Sequence, residues 1–285
     1  MMIRMILMST SLLVLSACNN PSVPSPTPES IGVTSPPTLS TGGTSTPTPA
    51  PASATPTPTS TPAPAKQSAL GATLGIVDSI DLRSFDGPIM SQFGETCTAF
   101  ATAAAMNNVL KKKGINKLVS ERHLWNTYDQ YDVNTAVAAA SSNYITEEQY
   151  WPASSAFPTS WQYQQYASLK ITQYKSDQYN LGAALQGLSQ GHPLVMGIQV
   201  PSSLENCDAS IDPNSTPTQG EHAIEAVGYQ LDDSVPGGGY FILKNSWGTA
   251  CGDHGYHYYP FSLCGRSDLF CNFIEILDVE DRGSP

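Results

Sequence analysis

The stretch EHAIEAVGYQLDDSVPGGGYFILKNSWG, Glu221 to Gly248, decides how this chain is read. An apolar alternating run opens at His222, three glycines at Gly237 to Gly239 mark a turn, and a second apolar run ends at Asn245. Two such runs joined by a glycine-rich turn predict a β-hairpin. A hairpin sets its open ends side by side, so His222 and Asn245 become neighbours. The amide oxygen of Asn245 can then accept a hydrogen bond from the imidazole and fix its orientation, as an activated general base requires. Trp247 is placed to roof that bond against water.

A base of this kind needs a nucleophile, and GETCTAFATAAAM, Gly94 to Met106, supplies one in Cys97. A helix is predicted from Thr98 to Lys113: Thr96 serves as N-cap, the alanines allow close packing, and three lysines precede the stop at Gly114. Cys97 then sits at the positive end of the helix, where a thiolate is stabilised. A cysteine at a helix start is by itself most often a small buried apolar group. Pairing with a distant histidine is what turns it into a candidate nucleophile.

The rest of the chain bounds the setting. The formal net charge of −11 over 285 residues excludes the usual electrostatics of nucleic-acid binding. The start MMIRMILMSTSLLVLSAC carries Arg4 and an apolar run too short to span a membrane comfortably, followed by Leu15-Ser16-Ala17-Cys18. It reads as an export signal, 1–17, and disulfides therefore become possible. The four residues at its end resemble the bacterial lipobox, which implies cleavage before Cys18 and lipid on that cysteine. Through Lys66 the chain then holds 13 of its 23 prolines and almost no large apolar residue, so it cannot pack a core. At about 3.1 Å per residue in extended form, this segment reaches on the order of 100 Å. Residues 18–69 are read as a tether, and 70–285 as folded material that fits one compact unit or two small lobes.

Taken together, Cys97 with TAFA after it, His222 in EHAIEAVGY and Asn245 in LKNSWGTACGDHGY resemble the papain family of cysteine peptidases, in the order Cys, His, Asn. Shorter pieces fall in register: SIDLR at Ser79, VSERHL at Val119, ITEEQYWP at Ile145 and GHPLVMGIQV at Gly191. The resemblance implies an α+β, papain-like two-lobed fold, with a helical lobe carrying Cys97, a β-barrel-like lobe carrying His222 and Asn245, and the active cleft between. It implies an endopeptidase with Cys97, His222 and Asn245 as catalytic residues and Gln92 in the oxyanion hole. It also implies a disulfide between Cys207 and Cys271, which leaves Cys251 with Cys264.

The sequence departs from the family pattern at three points. Gln92 stands five residues before Cys97 rather than six, consistent with a deletion within QFGETC, and Ser91 occupies the usual spacing. Cys251 replaces the second tryptophan of the NSWG block. The long inhibitory propeptide of the plant and animal enzymes has no counterpart before Ser79.

Cys251, His254 and His257 have a spacing that suggests metal, but a hairpin set without a fourth donor is uncommon, so neither metal nor cofactor is expected. His123 and His192 are read as surface or packing residues. The aromatic run from Trp161 to Tyr179 is read chiefly as cover for a half-buried surface. The expected partners are a protein or peptide substrate and a membrane reached through lipid on Cys18, with the chain a monomer. Two alternatives are a catalytically silent binding protein of the cell envelope and a hydrolase of peptidoglycan peptides or isopeptides.

Asn19, rather than aspartate, follows the lipobox cysteine, so in a two-membrane bacterium the expected location is the outer membrane. Intact-mass analysis of native protein is expected to show diacylglycerol on Cys18 together with partition into detergent. Recovery in the soluble envelope fraction without added lipid mass overturns that expectation.

Overall fold

The computed structural model describes residues 67–128, 131–158, 163–176 and 179–284. The export signal, Cys18, the proline-rich stretch as far as Lys66, and 159–162 and 177–178 of the aromatic run lie outside the described residues. In chain order, helix α1 (Ala69–Leu74) and strand β1 (Ser79–Asp81) precede helices α2 (Cys97–Lys112), α3 (Glu121–Tyr128) and α4 (Val133–Ser142). Strand β2 (Leu169–Ser176), helix α5 (Leu181–Ser189), strand β3 (Leu194–Pro201) and the single turn α6 (Ser202–Glu205) follow. Strands β4 (Pro217–Leu231), β5 (Gly239–Lys244), β6 (Tyr256–Pro260) and β7 (Cys271–Asp281) complete an antiparallel sheet ordered β2-β7-β3-β4-β5-β6. Strand β1 adds to β4 as well, so β4 pairs with three strands.

The long helix α2 is buried around nearly its whole circumference, which its small residues permit. Ala99, Ala103, Ala105, Met106 and Leu110 are fully enclosed. Its buried asparagines tie it to neighbouring segments: Asn107 Oδ1 accepts from Val119 N at 2.8 Å, and Asn108 Nδ2 donates to Asp86 Oδ1 at 2.7 Å. The helix begins at Cys97 rather than Thr98. Thr96 occupies the N-cap position, but its hydroxyl donates to Phe93 O at 2.9 Å and does not cap the helix. Lys111 and Lys112 lie in the last turn, and Gly114 takes a positive φ of 79° just beyond.

Two apolar cores form, one on each side of β3 and β4. Val195 and Ala223 join the core of α2, Leu124, Val137 and Ile274. Their neighbours Met196 and Ile224 join the second core, with Leu185, Tyr229, Phe241 and Tyr259. The strand period of two is what splits adjacent residues between the helical lobe and the β-rich lobe.

The expected hairpin forms, with Glu225 opposite Lys244, although β4 starts at Pro217 rather than at His222. The expected disulfides do not form. Cys207 pairs with Cys251 and Cys264 with Cys271, at Cα separations of 4.8 and 5.1 Å. Cys207 ends the turn after α6 with φ 63°, and its carbonyl accepts from Gly252 N at 3.1 Å, which brings it onto the loop carrying Cys251. Cys264 sits in a 3-10 turn (Phe261–Gly265) that leads directly to Cys271 at the start of β7, so the shorter connection is made.

Strand β1 approaches β4 most closely at Gly228, where a Cβ would lie 2.2 Å from Ile80 O. Gly228→Ala is therefore expected to lift β1 and to destabilise the fold by about 2 kcal/mol or more, as overpacking does. Gly265, which faces open space, is the control. Thermal unfolding of both alanine variants checks this, and an unchanged midpoint for Gly228→Ala refutes it.

Candidate active site

His222 lies on β4 opposite Ile198 of β3, and Asn245 follows directly on the last residue of β5. The structure brings the two side chains together: His222 Nε2 lies 2.9 Å from Asn245 Oδ1. Trp247 is buried beside them, its ring centroid 4.6 Å from that of His222, where it covers the bond. Because Asn245 Oδ1 also accepts from Ser246 N at 2.7 Å, the atom facing His222 is the carbonyl oxygen. The imidazole therefore donates from Nε2. In the neutral ring this leaves a lone pair on Nδ1, which has no hydrogen-bond partner among the described residues.

Cys97 is the first residue of α2 and is buried, and it lines the same cleft as His222. The cleft encloses about 390 Å³ and is walled by Val133, Asn134, Gly197, Ile198 and Asn272, with Tyr131 and Tyr179 at its exposed edge. Among the described residues of the aromatic run, Tyr179 lines the groove. Cys97 is disulfide-bonded in this structure. Its nucleophilic form is the reduced side chain.

Gln92 is buried and pinned from both ends. Its Oε1 accepts from Ser246 Oγ at 2.8 Å, and its Nε2 donates to Gly94 O at 2.8 Å. Its backbone N donates to Ser246 O at 2.7 Å, which ties the loop before Cys97 to the segment after Asn245. Gly94 takes φ 61°, a left-handed angle that glycine adopts without strain. Ser91 instead bridges Trp247, and its Oγ would meet a Cβ on Gly248 at 2.7 Å.

Burial pushes the His222 imidazole down to about 4, against the hydrogen bond it donates to Asn245 and with the neighbouring His257 lowering it further. A thiolate in the same cleft favours the imidazolium and pulls the value back up.

Behind the pair lies a pocket lined by Phe100, Glu121, Glu148, Lys244 and Asn245. Lys244 Nζ is 3.8 Å from Glu225 Oε2, with both side chains buried. Burial and the adjacent Glu148 raise Glu121 well above the ordinary carboxylate range, and Glu225 is raised by burial and by Asp86 despite Lys244.

The remaining histidines are engaged elsewhere. His123 Nδ1 accepts from Thr146 N at 2.9 Å, and the ring stacks with those of Tyr128 and Trp151. His192 Nδ1 contacts Glu275 Oε1 at 2.6 Å. Of the triplet with metal-like spacing, Cys251 is in a disulfide, and His257 bonds Asn245 and the Asp208 carbonyl. The contact between His257 and Asn245 was not anticipated from sequence. The one available signal was the alternation of YHYYP, which turns His257 inward on β6.

A model of the papain family of cysteine proteases matches residues 78–264. Pro-cathepsin H of Medicago truncatula is 27% identical over 181 residues, 56% of this chain and 49% of that protein. Chymopapain of Carica papaya is 29% identical over 178 residues, 56% of this chain and 47% of that protein. The chain spans about half the length of these curated relatives. Among solved structures, xylellain, a cysteine protease from Xylella fastidiosa, superposes with a TM-score of 0.59 at 21% identity, over 72% of this chain and 88% of that one. Bromelain from Ananas comosus, in complex with the E64 inhibitor, gives 0.55 at 21% identity, over 71% of this chain and all of that one. These structural likenesses speak to the fold alone.

A carboxyl whose folded value is raised stabilises the fold fully below its ordinary value near 4.5, and the contribution is lost as pH rises toward the folded value. Glu121→Gln removes that loss. Its unfolding midpoint, compared with the parent at each pH, is expected to climb from about pH 4.5 upward. A shift of one pKa unit corresponds to about 1.4 kcal/mol, or roughly 3–5 °C for a domain of this size. A difference that stays flat from pH 4.5 to 8 refutes the raised value.

Proposed function

Since the chain belongs to the papain family of cysteine proteases, we propose that it hydrolyses peptide bonds through Cys97, His222 and Asn245. The observation that carries this reading is the 2.9 Å contact between His222 Nε2 and Asn245 Oδ1, in the cleft that the helix-start Cys97 also lines. With Cys97 reduced, His222 Nδ1 takes the thiol proton and the thiolate attacks the substrate carbonyl carbon. The helix N-terminus favours the thiolate. The tetrahedral oxyanion is held by the Cys97 backbone N–H and by the Gln92 amide, whose second N–H is left over from the bond to Gly94. Collapse breaks the C–N bond, and His222 gives its proton to the departing amine. A water that loses a proton to His222 then attacks the thioester, which releases the acid and restores the thiol.

The substrate is a protein or peptide. Anchoring to a membrane through lipid on Cys18 is a separate part of the proposal, supported by Leu15 to Cys18 and by the composition of the stretch that follows. Retention of both Cys97 and His222 in one cleft favours a hydrolase over a silent binding protein.

After mild reduction, the parent is expected to cleave peptides and to be labelled at Cys97 by E64, a thiol-reactive peptidyl epoxide. Cys97→Ala is expected to lose both, and residual turnover within tenfold of the parent overturns the assignment. Asn245→Ala is expected to be milder than His222→Ala, because Asn245 orients the base and exchanges no proton. Gln92→Ala is expected to lower turnover about 10²- to 10³-fold while iodoacetamide alkylates Cys97 at nearly the parental rate. Near-parental turnover in Gln92→Ala removes it from the oxyanion hole.

A further inference from the structure

His257 is fully buried on β6 and stands directly behind Asn245, on the side away from His222. Its Nδ1 lies 2.7 Å from the carbonyl oxygen of Asp208, a group that can only accept, so Nδ1 carries the proton. Its Nε2 is therefore the acceptor of the neutral ring, and Asn245 Nδ2 donates to it at 3.1 Å. The same amide presents Oδ1 to His222 Nε2 and to Ser246 N. Every polar atom of the Asn245 side chain is thereby assigned, the oxygen by Ser246 and the nitrogen by His257.

We propose that His257 is a positioning residue for the proposed hydrolysis: held by the Asp208 carbonyl, it fixes the Asn245 amide and through it the Nε2–H tautomer of His222. This inference rests on the reading of Cys97, His222 and Asn245 as the catalytic group. Three features hold the relay in place. The Cys207–Cys251 disulfide ties the residue before Asp208 to the loop that packs on the ring, and Cys251 Sγ lies 3.8 Å from His257 Nε2. Gly252 packs closely against the ring, where a Cβ would sit 2.7 Å from His257 Cε1 and 2.9 Å from His257 Nδ1. Burial holds the ring below its ordinary pKa and therefore neutral, although the Asp208 carbonyl opposes this. A protonated ring would present N–H to N–H against Asn245 and break the relay.

The relay separates what an orienting residue does from what a structural one does. The test compares kcat and KM of the reduced full chain on one fluorogenic peptide for the parent, His257→Leu, His257→Gln, Asn245→Ala and the Asn245→Ala/His257→Leu double variant. His257→Leu is expected to lower kcat roughly tenfold or more with KM within about twofold, because only orientation of the base is lost. His257→Gln, whose amide oxygen can accept from Asn245, is expected to recover most of that loss. In the Asn245→Ala background the leucine substitution is expected to change kcat by less than about twofold, since residues acting through one another are non-additive. A His257→Leu variant with parental kcat, or one whose loss is equally large without Asn245, overturns the proposal. If Asn245→Ala is itself fully active, the catalytic reading falls. If Asn245→Ala is impaired and His257→Leu is not, this inference alone falls. Should the leucine variant fail to fold, ¹⁵N shifts of His257 in the parent decide: a protonated Nδ1 supports the relay, and a protonated Nε2 overturns it.

Discussion

The pairing of β4 with three neighbours is the constraint on which the rest depends. β3 fixes the height of His222 along the strand, and β5 delivers Asn245 to its open end. The alternation along β3 and β4 then splits the apolar residues between two cores. The cleft is the seam between those cores, so the same register that gives the fold its lobes also decides which side chains face each other across the seam. A slip of one residue in β4 would turn His222 away from the cleft and Ile224 out of its core together. Site and stability are therefore fixed by one set of hydrogen bonds.

The hairpin, the helix behind Cys97 and the meeting of His222 with Asn245 were legible because each follows from short-range pattern: apolar alternation, a glycine turn, a small-residue helix. What sequence could not give was contact between segments far apart with no periodic signal. The disulfide partner of Cys207 depends on the left-handed turn after α6, which places it on the Gly252 loop, and no spacing rule encodes that. The Thr96 hydroxyl had two acceptable partners, the helix and Phe93 O, and local geometry chose the second. His257 read as one member of a metal-like triplet because its true partners, the Asp208 carbonyl and the Asn245 amide, come from distant segments and one of them is backbone.

The loop before Cys97 is held at identifiable places. Gly94 supplies the left-handed angle, and Gln92 Nε2 bonds back to Gly94 O within the shortened turn. Ser246 then bonds Gln92 through both its hydroxyl and its carbonyl. Since Ser246 N also fixes Asn245 Oδ1, one serine links Gln92 to the pair formed by His222 and Asn245. The two halves of the site are not independent loops but a single hydrogen-bonded unit spanning the lobes.

Electrostatics in that unit favour mutual over individual ionisation. Burial holds His222 near 4 when no thiolate faces it, so an isolated imidazole there is neutral at physiological pH. A buried thiol is likewise disfavoured from ionising alone. In the proposed mechanism, proton transfer from Cys97 to His222 would create both charges together in a low-dielectric cleft, with the α2 N-terminus on the side of the anion and the Asn245 carbonyl on the side of the cation. The desolvation that penalises each charge separately strengthens their attraction once they exist as a pair. In that mechanism Asn245 serves the imidazolium only while its oxygen faces Nε2, so the orientation of one amide adds to the stability of the ion pair or takes from it.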